Sequence, residues 1–166
     1  MANKQSFTPE EWIKILESPM LAGMAVSAAE PSGLWGTLKE AFASSSALAA
    51  AKLDAGSNEL IKTVVADLET SEGQSVVQDS LGKRFAGARA TDVAQSAVAN
   101  LGEVSAILNA KAPGDAAAFK AWLRAISQKV AEASKEGGVL GFGGVAVSDA
   151  EKATLADISK ALGTTA

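Results

Sequence analysis

Apolar residues recur at helical spacing along most of the chain. The clearest run is Phe119, Trp122, Leu123, Ile126, Val130 and Ala133, at i, i+3, i+4, i+7, i+11 and i+14. These positions share one face of a 3.6-residue helix, and Lys120, Arg124, Lys129, Glu132 and Lys135 are left for the solvent face. The pattern predicts a helix from about Asp115 to Glu136. A second stripe, Val93, Ala97, Leu101, Val104 and Leu108, predicts a long helix from Thr91-Asp92 to the stop at Ala112-Pro113-Gly114. Leu60, Ile61, Val64, Val65 and Leu68 predict a third, capped by Ser57. A weaker helix starts at Ser71 and runs through Val76, Val77 and Leu81 to about Arg84. No stretch alternates with period two between hairpin turns, so no sheet is expected.

The N-terminal part reads in shorter pieces. Thr8-Pro9-Glu10-Glu11 is a capping box with proline at the first helical position. It opens a short helix with Trp12, Ile13, Ile15 and Leu16. Ser18-Pro19 is expected to end that helix and start another, from Pro19 to Glu30. Met20, Leu21, Met24 and Val26, with four alanines, leave the second piece apolar on most sides, which places it at the domain centre. Pro31-Ser32-Gly33 breaks the chain. Thr37-Leu38-Lys39-Glu40 is a further capping box, followed by a helix with Leu38, Phe42 and Leu48.

Near the C-terminus, five glycines fall between Gly137 and Gly144, interleaved with Val139, Leu140, Phe142, Val145 and Val147. So apolar a loop is expected to fold back on the core. If exposed, Leu140, Phe142 and Val145 form a patch suited to self-association, and so to a homo-oligomer. Ser148-Asp149-Ala150-Glu151 is a capping box, and Leu162-Gly163 is a glycine stop. Residues 28–40 and 133–151 echo one another: an alanine-rich helix ending in glutamate, a glycine loop with leucine and an aromatic, then a capping box. The expected fold is therefore a single all-α domain over 1–166, of about seven or eight helices and possibly pseudo-symmetric. The Pro19–Glu30 and Asp115–Glu136 segments are placed at its centre.

Composition narrows the chemistry. Hydrophobic residues make up 48% of 166, enough for a real core. Histidine and cysteine are both absent, which removes the usual general base, imidazole ligation, thiolate chemistry and disulfides. No nucleophile motif is visible, and an enzyme is the lesser expectation. A net charge of −4 argues against non-specific nucleic-acid binding. Gly82 to Ala90 holds the one local basic cluster and reads as a solvated connector. Trp12, Trp35 and Trp122 read as core, or as the lining of a ligand cavity in a small-molecule-binding bundle or hydrolase. No signal peptide or membrane-length apolar run is apparent, so a bacterial-type cytoplasmic protein is expected.

Val-Ser-Asp-Ala-Glu-Lys leading into Leu-Ala-Asp-Ile-Ser-Lys-Ala-Leu-Gly resembles the helix-turn-helix unit of the TerB-like tellurite-resistance family. The resemblance covers roughly 130–163, with a fainter copy near 26–48. It implies a small all-helical fold, a stress- or metal-related role, and acidic turns that bind a divalent cation such as calcium or magnesium. Where that family has Ala-Asp-Gly, this chain has Glu136-Gly137 and Glu30-Pro31. A cation site here would use Glu30 with Glu40, or Glu136 with Asp149 and Glu151, with loop carbonyls completing the oxygen set. The competing role for Glu40 and Glu151 is helix capping, with Glu30 and Glu136 solvated.

Overall fold

The computed structural model describes residues 2–29, 58–136 and 147–164, and of 133–136 the backbone only. Among these residues a 3-10 turn, Lys4–Ser6, precedes six α-helices: α1 (Pro9–Ala29), α2 (Glu59–Leu68), α3 (Ser71–Phe85), α4 (Ala90–Lys111), α5 (Pro113–Glu136) and α6 (Asp149–Leu162). No strand occurs among the described residues. None of their helices is long and apolar enough to cross a membrane.

The first helix is central, as its all-round apolar character requires. It packs most extensively on α4, then on α5 and α6, and α4 also rests on α6. The main neighbour is thus α4 rather than the more strongly patterned α5. The α2–α3 pair lies to one side, against α1 and the edge of α5.

The expected break at Ser18-Pro19 does not occur. One helix runs through both residues. Proline at position 19 removes the N–H that would reach the Ile15 carbonyl, and an interior proline costs about 3 kcal/mol. Ser18 Oγ donates to that same carbonyl at 2.7 Å and satisfies it. Beyond the proline, residues 21–28 are all buried. Burying Leu21 and Val26 alone contributes about 1.5–3 kcal/mol each, which is enough to offset the defect.

Local signals set most of the other ends. Thr8 and Glu11 exchange the two capping bonds, at 2.8 and 3.3 Å, and Ser148 and Glu151 do the same at 2.8 and 3.2 Å. Gly163 has φ of 67°, and its N–H donates to the Lys160 carbonyl while that of Thr164 reaches the Ser159 carbonyl. This is a Schellman closure, which needs the left-handed residue. The cap of α2 is Asn58 rather than Ser57, and that of α3 is Thr70. Gly73 has a tertiary reason: a Cβ there would collide with the Asp67 carbonyl.

Polar tethers cross the core at few points. Ser127 Oγ lies 3.0 Å from the Ala22 carbonyl of α1, and Ser105 Oγ donates to the Leu162 carbonyl of α6 at 3.0 Å. Asp115 is buried in the first turn of α5. It accepts from the Ala2 amide at 2.9 Å and from Asn58 Nδ2 at 3.1 Å, tying the N-terminal segment and α2 to α5.

The Pro31–Gly33 break, the Thr37–Glu40 capping box, the Phe42 and Leu48 helix, Trp35, the glycine loop and most of the internal echo lie outside the described residues.

Candidate functional site

Helix α5 starts directly after α4, at the Ala112-Pro113 turn, so the last turn of α4 lies beside the first turns of α5. The Schellman turn at the end of α6 brings Gly163 and Thr164 to the same place. Together they line an open groove of about 810 Å³. Its apolar lining is Pro113 with Ala116, Ala117, Ala121 and Ala125 of α5. Its polar lining is Asn109 of α4, Thr164, and Lys120, Arg124 and Gln128, which follow one another at one-turn spacing along α5.

Lys120 differs from the expectation for a solvent-face residue: it is only 7% exposed. Alanines share the groove lining with it, and a lysine stem is readily covered on such a surface while its amine reaches a polar partner. Its Nζ donates to Asn109 Oδ1 at 2.7 Å. Asn109 itself is exposed and lines the same groove. Burial holds the amine below the usual lysine value.

Seven other cations of the described residues are handled differently. Lys4, Lys14, Lys62, Lys111 and Lys152 each face a carboxylate, at 3.0, 2.6, 2.8, 2.6 and 3.3 Å respectively. Arg89 pairs with Asp92. Arg84, expected in a solvated connector, lies in the last turn of α3 and reaches Glu17 of α1 at 2.8 Å. Lys120 is therefore a covered cation matched by a neutral amide. An ammonium group has three donors, and Asn109 takes one.

The five carboxylates of the anticipated cation site fare unequally. Asp149 is fully exposed and pairs with Lys152. Glu151 is buried, and its carboxylate caps α6. Glu136 ends α5, with its side chain outside the described residues, where Glu30 and Glu40 also lie. Leu140, Phe142 and Val145 of the anticipated interaction loop lie there too. Among the described residues no group of three acidic, histidine or cysteine side chains is placed to hold a metal. Trp12 and Trp122 are both 3% exposed. Trp122 packs edge-on to Phe119, and Trp12 Nε1 donates to Asp67 Oδ2 at 2.7 Å.

Periodicity overlooked the groove because it scores alanine as weakly apolar filler. The available signal was the run of alanines at 116, 117, 121 and 125 around Lys120 and Arg124, which makes a small-residue face instead of a charged one. No protein-family model, curated protein or solved structure matches this chain.

Proposed function

We propose that the protein is a helical ligand-binding module whose groove beside α5 takes a small organic anion. Lys120 carries the reading. A covered ammonium group facing an amide instead of a carboxylate has charge and donors to spare, and an anionic ligand supplies what the chain withholds. Arg124 and Gln128 line the same groove one and two turns along, Gln128 with its amide donating to Glu132 Oε1 at 2.8 Å. A volume of about 810 Å³ suits a small ligand.

The acidic-turn reading, with a divalent cation held by Glu136, Asp149 and Glu151, ranks second. Glu151 is engaged as a cap and Asp149 is paired with lysine, and both would have to be released.

Thermal unfolding separates the two. A ligand that binds only the folded state stabilises it, by about 2.7 kcal/mol at one hundred times Kd. Phosphate and short carboxylates should raise the midpoint saturably in the native chain and in Lys83→Met, a surface control, but not in Lys120→Met. A rise with calcium or magnesium and none with any anion would replace the groove reading by the acidic-turn reading.

A further inference from the structure

Helix α3 buries little of itself. Of its 15 residues only Gly73, Val77 and Phe85 are buried, whereas five of the 10 in α2 are. A segment with few buried apolar contacts opens at a lower free energy than the whole molecule. Among the described residues its side-chain tie to α1 is one ion pair, Arg84 Nη1 to Glu17 Oε2 at 2.8 Å. That tie is made on poor terms. Glu17 is 0% exposed, neither of its carboxylate oxygens is hydrogen-bonded, and Arg84 Nη1 is unbonded as well. A buried charge without hydrogen bonds forfeits its hydration, so water reaching Glu17 offsets part of the cost of parting the two helices.

The two ends of α3 differ. At its start Thr70 Oγ1 donates to the Asp67 carbonyl at 2.7 Å and accepts from the Gly73 N–H at 3.0 Å, which seats the first turn on the end of α2. In its last turn Gly82, a poor helix former, is exposed with open space around it. Gly87, with φ of 69°, then turns the chain away toward α4.

We propose that α3 is a strap over α1. It lifts from Gln74 to Phe85 as one local unit, pivoting at the α2–α3 corner, and bares Glu17 to water while α1, α2, α4 and α5 stay packed. The Glu17–Arg84 pair is its clasp. The groove stands apart from this motion, since α3 supplies none of its lining residues.

The test is hydrogen–deuterium exchange of the full native chain, read by peptide mass spectrometry at several urea concentrations below the unfolding transition. Exchange across 74–85 should be faster than across 60–68 or 97–108 by about tenfold or more. It should change little with urea, because local opening exposes little new surface, while exchange across 97–108 rises steeply. Val104→Ala, at a wholly buried site in α4, destabilises the closed and strap-open forms alike. It should speed 97–108 and leave 74–85 at its native rate. Arg84→Ala, shown folded by circular dichroism, releases the clasp and should speed 74–85 by about tenfold or more. Equal rates and equal urea dependence in α3 and α4 overturn the strap, as does a matching acceleration of both by Val104→Ala. Unchanged exchange of 74–85 in Arg84→Ala overturns the clasp.

Discussion

Arg84 and Lys120 are both drawn against the helical body, and the chain treats them in opposite ways. Arg84, on the peripheral α3, meets a carboxylate that is wholly inside: Glu17 is 0% exposed. Lys120, on α5, meets an amide that is itself in water. The Arg84 contact is close, yet its atoms are out of line for a hydrogen bond, and Glu17 Oε1 has no partner. That pair is closed in charge but loosely made, which suits a role in fixing α3 against α1. The lysine is well hydrogen-bonded but open in charge, which suits a ligand. Charge closure, more than burial, separates these two cations.

The sharpest way to break the comparison is Arg84→Ala. It leaves a buried carboxylate with no counter-charge, and urea unfolding should show a loss of about 3 kcal/mol. Replacing both partners, Glu17→Met with Arg84→Met, should recover most of that loss, because two matched apolar groups need no counter-charge. If the single and double variants are equally unstable, packing rather than charge holds α3 in place.

Asp67 gives an intermediate case, closed in charge and well bonded. Burial pushes its carboxyl up, but the Trp12 indole and the Lys4 ammonium donate to it, and together they hold it below the usual carboxylate value. A group lowered in this way adds stability above its unfolded pKa, and that contribution is lost as pH falls through the folded value. Asp67→Asn should therefore cost about 1–2 kcal/mol at neutral pH. The gap to the native chain should close in acid; a gap independent of pH would assign the loss to shape rather than charge.

The smallest effect is expected at Lys120. Its folded value lies below the ordinary lysine value, so the unfolded chain binds more protons between the two, and stability rises with pH across that window. Below that window both states are charged and the burial cost is fully present. Lys120→Met should then raise stability by up to about 1 kcal/mol and flatten the alkaline slope. A destabilised variant would mean that the Asn109 bond outweighs desolvation, and would remove the contrast with Arg84.

The helical class, the long stripes of α4 and α5, the two capping boxes and the Gly163 stop were all legible in the sequence. Each depends on residues within a turn or so of one another: Ser148 and Glu151 are three apart, and Leu101, Val104 and Leu108 line one face whatever lies opposite. What lay beyond the sequence depended on partners distant along the chain. Pro19 reads as a break until a hydroxyl one residue away takes over the freed carbonyl and neighbouring helices cover every side of the segment. Arg84 reads as solvated until α3 brings it to Glu17, 67 positions earlier. Lys120 reads as solvent-facing until the α4–α5 turn and the end of α6 form the groove that it lines. Local hydrogen bonding and periodicity are properties of short segments, so sequence alone determined the helices. The environment of a charge is set by whatever folds against it, so only the tertiary structure decided which cation met a carboxylate and which met an amide.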